Sequence, residues 1–243
     1  MRKTLPTVMI SISESYELVK SQIQCAAETS GRNPEEIELI AVSKTWPIST
    51  VSELVECGHK IFGENKVQEL EVKCPSLSSS LRWHFIGHLQ KNKARKVLPL
   101  AETIHSVDSL DIAERINTIA HELGLFPKIY VQVNHVGEST KFGFSPEELF
   151  QSFDSLLQLD RIEIEGLMII PSFDADPEKV RPEFAALRDL RDKLEKITGI
   201  KLPGLSMGMS NDFLIAIEEG STSVRIGSSI FGKRKVIKSN QKG

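Results

Sequence analysis

The sequence predicts an α/β fold, a single (β/α)8 barrel of the TIM type with an additional N-terminal helix. Three observations point there. Eight short strand-like runs recur, separated mostly by segments of helical periodicity. Alternation of that kind implies parallel strands joined by helical crossovers. The 243 residues are the right length for eight such units. No GxGxxG follows the first strand, where a doubly wound dinucleotide-binding sheet would carry one, and no linker or internal repeat divides residues 1–243.

Residues 10–30 hold the extra helix. Ile12, Tyr16, Val19, Ile23 and Ala26 recur at alternating steps of four and three, and Gly31 with Asn33-Pro34 stops the run. Residues 37–44 are an apolar strand ending on Lys44. Pro47 then opens a helix that Gly58 ends, with Val51, Leu54 and Val55 inward. The second strand is 60–63, followed by Glu64-Asn65 and a helix through Leu70. A serine-rich loop at 76–80 leads to the third strand at 83–86, and 91–97 read as a basic helix. The fourth strand is 102–107, after which Asp108 is placed to cap a helix to about Leu123. The fifth is 128–134. Ser145-Pro146-Glu147-Glu148 then has the cap, proline and acidic order of a helix start. The sixth strand, 162–169, precedes a long helix over 177–197 with Phe184, Leu187, Leu190 and Leu194 inward. The seventh is 202–206, Ser210-Asn211-Asp212 caps a helix to Glu219, and the eighth is 222–226. Little chain follows for an eighth helix, so the N-terminal helix is expected to cover that side. The basic tail, 233–243, is expected to fray.

Composition narrows the function. The chain is 40% hydrophobic and 26% charged, ordinary for a soluble globular protein, and its net charge of -3 argues against nucleic-acid binding by bulk electrostatics. Cys25, Cys57 and Cys74 are scattered without a CxxC, which fits a reducing compartment and no disulfides. The apolar start at Val8-Met9-Ile10 is broken at once by Ser11, Ser13 and Glu14, and nothing later approaches a membrane span. The expectation is a cytoplasmic, monomeric protein with no nucleic-acid or membrane partner. His84 and His88 share no helix face and lack a third ligand in register, so no metal site is expected.

In a barrel, functional residues sit at the C-terminal ends of strands. Lys44 leaves such an end over an apolar floor. Desolvation there disfavours its ammonium form, and a neutral amine can attack an aldehyde to form a Schiff base. The alternative is a solvated strand-end lysine. The stretches 205–212 and 225–229 follow strands seven and eight. Both place small and hydroxyl residues where backbone N–H groups converge on an anion, and those two loops are the recurrent phosphate position of this fold. An aldehyde-trapping lysine opposite a phosphate corner points to pyridoxal 5'-phosphate. Asn65 is a candidate donor to its ring hydroxyl, and otherwise a helix cap. Arg225 is a candidate partner for its ring nitrogen, and otherwise part of a structural ion pair. An arginine there keeps that nitrogen unprotonated and weakens the electron sink, which argues against transaminase and decarboxylase chemistry.

Ala41-Val42-Ser43-Lys44-Thr45, residues 62–69, residues 83–90, Glu138 through Phe144, Leu205 through Asp212 and Val224 through Ser228 together resemble the pyridoxal phosphate homeostasis protein family. The matching stretches run in order from about residue 37 to residue 232. The resemblance implies a barrel similar to the N-terminal domain of alanine racemase, with Lys44 as the Schiff-base lysine. It also implies that Ser206, Gly227 and Ser228 hold the phosphate and that Arg225 meets the ring nitrogen. Ser228 stands where many members have threonine, which keeps the hydroxyl. The expected role is a cytosolic carrier or regulator that buffers the cofactor or delivers it to apo-enzymes, with no catalytic residue of its own. A weak racemase acting on a small amino acid is the alternative, against which stands the want of a second base. Tyr16 is on the N-terminal helix and Tyr130 inside a strand. A third reading is a phosphate-binding barrel isomerase in which Lys44 works without cofactor. Lys141 is a possible second amine, passing the aldehyde on or off Lys44, or else a loop lysine paired with Glu138.

Overall fold

The computed structural model describes residues 10–135, 142–172, 174 and 176–232. Eight parallel strands close into a barrel in chain order: β1 (Glu38–Val42), β2 (Ile61–Glu64), β3 (Arg82–Phe85), β4 (Thr103–Val107), β5 (Lys128–Val133), β6 (Glu163–Ile169), β7 (Gly204–Met209) and β8 (Ser223–Ile226). The closure joins β8 to β1, with Ile40 opposite Arg225 and Ala41 opposite Ile226. The helices are α1 (Ile12–Thr29), α2 (Ile48–Glu56), α3 (Val67–Ser76), α4 (Ala94–Val97), α5 (Leu110–Leu123), α6 (Pro146–Leu157), α7 (Arg181–Thr198), α8 (Phe213–Glu218) and α9 (Ser228–Phe231).

Local chemistry explains most of the boundaries. Ser11 caps α1 and Ser145 caps α6, each in a capping box with the glutamate three residues on, Glu14 and Glu148. The cap of α5 is Ser109 and not Asp108. Asp108 instead binds His88 Nδ1 at 2.8 Å, which leaves the neighbouring hydroxyl to satisfy the helix N–H. The basic segment at 91–97 divides into a 3-10 turn (Lys91–Lys93) and α4, and a second 3-10 turn (Pro177–Val180) precedes α7. Helix α3 runs past Leu70 to Ser76, with Pro75 in its last turn. Strand β7 starts and ends later than its apolar run predicts, because Met207, Gly208 and Met209 continue it through a register shift against β8.

The core has two parts. Outside the strands, Phe62, Trp83, Phe85, Ile104, Ile129 and Leu205 are buried beneath the helices in one hydrophobic cluster. Burial of that area is the main favourable term in the fold. Helix α1 buries Tyr16, Val19, Ile23, Ala26 and Ala27 against α2, α8 and α9, so it covers the side where α9 has a single turn. Just after α1, Arg32 Nη1 donates to the carbonyls of Ile217 (2.8 Å) and Ser221 (2.7 Å), satisfying acceptors where α8 ends. The barrel interior is polar where branched apolar side chains usually dominate. His84, His105, Ser206 and Arg225 are all buried there.

Two strands approach closely at one point. A Cβ added at Gly166 of β6 would lie 1.8 Å from the carbonyl oxygen of Gly204, its neighbour on β7. That oxygen is backbone and cannot swing away. Gly166→Ala is therefore expected to destabilise the barrel by about 2–4 kcal/mol, through separation of the two strands. Urea denaturation followed by circular dichroism checks this, and a wild-type midpoint would show that the seam between β6 and β7 has slack.

Candidate functional site at the barrel mouth

The C-terminal ends of the strands open on a cavity of about 390 Å³. Val42 and Lys44 border it from β1, Asn65 from β2 and Ile86 from β3. The segment after β6 contributes Ile170, Pro171, Ser172 and Asp174. Met209, Ser210, Asn211 and Asp212 come from the end of β7, and Arg225, Gly227 and Ser228 from β8. Lys44 lies two residues beyond the last residue of β1 and is half-buried. Beside it, Trp46 also borders the cavity and packs against Phe231 with ring centroids 5.9 Å apart.

The corner after β7 and β8 is stitched by Ser210. Its hydroxyl oxygen accepts from the Gly227 N–H at 3.2 Å and the Ser229 N–H at 3.3 Å, and the Ser229 hydroxyl donates to the Ser210 carbonyl. These bonds draw the two loops together, and Ser210, Gly227 and Ser228 border one side of the cavity as a corner of small and hydroxyl-bearing residues. Ser206, an expected phosphate contact, does not border the cavity. Because β7 extends to Met209, Ser206 sits inside the barrel rather than at its rim. Its hydroxyl accepts from Arg225 Nη1 at 2.5 Å and lies 2.8 Å from His105 Nδ1. Asp212 does not cap α8 with its side chain. Its Oδ1 accepts the Met209 N–H at 2.6 Å, and burial raises its pKa.

Arg225 is buried, with 5% of its surface exposed, yet borders the cavity. Besides Ser206, it donates from Nη2 to the Ile169 carbonyl at 2.9 Å. Among the described residues no carboxylate lies within ion-pair distance of it. Burial lowers its pKa to about 10, with Asp212 and Tyr130 acting in the opposite direction. The guanidinium still carries its charge at neutral pH, and its remaining N–H groups are not used by these two bonds. Behind Ser206 a buried chain continues, His105 to His84 at 2.9 Å, with Tyr130 stacked on His105 at 4.5 Å. Burial holds the His84 imidazole at about 3, and burial, then His84 and Arg225, hold His105 well below its ordinary value.

The structure brings Lys44, Asn65, Arg225, Gly227 and Ser228 to one cavity and leaves Ser206 beneath it. Lys141 and its possible partner Glu138 lie outside the described residues, as does the tail at 233–243. Tyr16 bonds His59 at 3.3 Å and Tyr130 is buried in the barrel, so neither borders the cavity. Sequence reasoning placed Ser210 in the 205–212 stretch without singling it out as the residue that joins the two loops, and missed the buried Glu64 and Lys73 behind Lys44. The signal for Ser210 was present in Met207-Gly208-Met209, whose strand character moves the strand end to that serine. Among the described residues no group of three or more His, Cys, Asp or Glu could hold a metal ion, and no helix is long and apolar enough to cross a membrane.

Fold and mouth together define a class: (β/α)8 barrels that present an amine, a buried guanidinium and a corner of serine and glycine to one cavity. The alanine racemase N-terminal domain family matches residues 17–235. By relatives 38–43% identical over more than nine-tenths of its length, the chain belongs to the pyridoxal phosphate homeostasis protein family. The protein of that name from Aquifex aeolicus is 43% identical over 223 residues, 91% of this chain and 98% of the relative. The one from Escherichia coli K12 is 39% identical over 236 residues, 93% of this chain and 98% of the relative. Among solved structures, PipY of Synechococcus elongatus PCC7942 is 37% identical and covers 91% of this chain and 100% of its own. Its TM-score is 0.84 without PLP and 0.82 with PLP bound.

The neutral histidines make stability depend on pH. An unfolded histidine takes up its proton below about pH 6.5, whereas the folded barrel keeps His84 neutral down to about 3. Stability is therefore full above the unfolded value and is lost as pH falls toward the folded one. Urea denaturation at about pH 7 and about pH 5 is expected to show that loss. His84→Gln is expected to remove about 2 kcal/mol of it. An unchanged pH dependence in the variant would mean that His84 exchanges protons with solvent in the folded state.

Proposed function

We propose that this chain binds pyridoxal 5'-phosphate at the barrel mouth, held as a Schiff base on Lys44, and that it buffers the cofactor or delivers it to apo-enzymes without turning over a substrate. The observation that carries this reading is the convergence of Lys44, Arg225 and the corner of Ser210, Gly227 and Ser228 on one cavity of about 390 Å³. The named function of relatives at about 40% identity and the PLP-bound PipY structure support the same ligand.

The residues fit that group. Asn65 borders the cavity with its side-chain oxygen buried and unpartnered, a polar group that calls for a ligand. Ser210, Gly227 and Ser228 on one side of the cavity suit the phosphate. Arg225, held by Ser206 and the Ile169 carbonyl, suits the ring nitrogen. When bound, pyridoxal 5'-phosphate supplies an aldehyde that captures amines and a ring that accepts electron density. Lys44 Nζ supplies the amine. The new bond forms between Nζ and the aldehyde carbon, one water leaves, and no oxidant is needed. Arg225 keeps its own proton and so leaves the ring nitrogen without one, which limits carbanion chemistry. Among the described residues no tyrosine reaches the cavity to act as a second base, which supports a carrier over a racemase. The three free cysteines, Cys25, Cys57 and Cys74, fit a reducing cytoplasmic setting, and we take the working form to be the monomer.

An absorbance spectrum with and without added pyridoxal 5'-phosphate, followed by borohydride reduction and peptide mapping, tests the reading. The expected result is a yellow protein with the label on the Lys44 peptide, and no such label in Lys44→Ala. Label scattered over surface lysines would remove the cofactor site and leave the mouth in need of another anion.

A further inference from the structure

The turn that carries Lys44 has a backbone its own residues do not favour. Thr45 has φ +68°, and among the described residues no other non-glycine has a positive φ. The Ser43 carbonyl accepts the Trp46 N–H at 3.1 Å, which closes a four-residue turn with Lys44 and Thr45 at its centre. A positive φ at the second central residue alone is the geometry of a type II turn, and that position selects Gly or Asn. A side chain there crowds the carbonyl oxygen, more so when it is branched at Cβ. Left to itself, a Lys-Thr pair prefers the type I turn, in which the peptide between the two residues is flipped.

Three side chains from outside the turn oppose that flip. Lys73 Nζ donates to the Ser43 carbonyl at 2.8 Å, and the Ser43 hydroxyl donates to Glu64 Oε1 at 2.6 Å. The Thr45 N–H, which belongs to the peptide that flips, donates to Glu69 Oε2 at 2.6 Å. Lys73 also donates to Glu64 Oε1 (2.7 Å) and Glu69 Oε2 (2.9 Å), so all three protons of its ammonium are used. Glu64 is fully buried and Lys73 is 4% exposed, although Lys73 comes from a surface helix. Burial alone would raise the Glu69 carboxyl, and the bonds from Lys73 and the Thr45 amide outweigh it, keeping Glu69 below its ordinary range as an acceptor. None of the three borders the cavity.

We propose that Glu64, Glu69 and Lys73 form a clamp that holds the turn at 43–46 in its left-handed form, with Glu69 as the latch on the Thr45 N–H, and so set where the Lys44 amine stands over the cavity. They are positioning residues. The step from clamp to cofactor rests on the reading that Lys44 takes the aldehyde. The physical need is plain: a lysine side chain has four rotatable bonds, and the rate and strength of its reaction with a seated aldehyde depend on where its Cα is fixed.

Lys73 is a poor choice for mutation, because its loss leaves Glu64 buried and uncompensated. Glu69 is partly exposed and can be removed with less damage. Hydrogen exchange of the Thr45 amide, read by NMR in the protein without cofactor, reports the latch directly. Cofactor affinity, read by titration of the absorbance band, reports its consequence. The left-handed form disfavours a residue by roughly tenfold. Glu69→Ala is therefore expected to speed Thr45 exchange at least about tenfold and to weaken cofactor binding about tenfold. Adding Thr45→Gly, which removes the crowding at positive φ, is expected to return most of that affinity. Glu69→Gln, which keeps an oxygen for the Thr45 N–H but no charge for Lys73, is expected to fall between. Unchanged Thr45 exchange in Glu69→Ala would overturn the clamp. So would an affinity loss that Thr45→Gly leaves in place, because Glu69 would then act by charge alone. If the wild-type protein takes up no pyridoxal 5'-phosphate, the cofactor reading falls while the exchange measurement still decides the clamp.

Discussion

The seam between β1 and β8 is the constraint on which the site depends. A barrel has no edge strands, so the first strand must pair with the last. Here that pairing sets Ile40 beside Arg225 and Ala41 beside Ile226. It delivers Lys44, from the first strand, and the Gly227 corner, from the last, to the same wall of the cavity. The approach at the rim is close: a Cβ on Gly227 would lie 3.3 Å from the Val42 carbonyl oxygen. Outside the barrel the same seam is covered by α1, and Arg32 ties the chain after it to the carbonyls of Ile217 and Ser221. Packing, hydrogen bonding and the proposed ligand site thus share one join.

The polar interior follows from what the mouth must present. A guanidinium taken out of water is costly unless its protons find oxygens. Arg225 finds the Ser206 hydroxyl and the Ile169 carbonyl, neither of which carries a formal charge. Its charge is therefore held in place without being neutralised, and it acts on the cavity at short range. The imidazoles of His105 and His84 behind it can serve as neutral donors and acceptors because burial keeps both uncharged. A cation deeper in the barrel would repel the guanidinium, so neutrality of that pair matters to Arg225 as well as to the fold. The Lys73 cluster solves the opposite problem. There an ammonium is surrounded by two carboxylates and a carbonyl, and the electrostatics is spent on shaping backbone.

Much of this was legible in the sequence because period and punctuation agree. The eight strands and the N-terminal helix follow from alternation and from stop signals such as Gly31 and Gly58. The meeting of small and hydroxyl residues on one side of the cavity follows from the runs after the last two strands. What was not legible depends on neighbours. Asp108 and Ser109 are both good caps, and only the position of His88 decides which is used. Ser206 and Ser210 both stand near the end of β7. The register shift against β8 puts one inside and the other on the rim. Lys73 with Glu69 at four residues' spacing looks like an exposed helix pair, and burial by the barrel converts it into an interior group. The His84–His105 contact joins strands β3 and β4, and no local pattern announces it.

The seam also sets the order in which the protein becomes competent. Arg32 is bonded to Ser221 across 189 positions, and Lys44 and Trp46 border a cavity whose far-sequence lining includes Arg225, Gly227 and Ser228. Contacts of such long range are the slowest to form, since the whole intervening loop must be ordered first. While the chain is being synthesised, Lys44 emerges early and its partners late. A nascent chain therefore displays the lysine for most of its synthesis without Arg225, Gly227 and Ser228, which border the same cavity. On the proposed reading, selective capture of an aldehyde would belong to the closed barrel alone, because the cavity at the mouth is complete only once β8 has paired with β1.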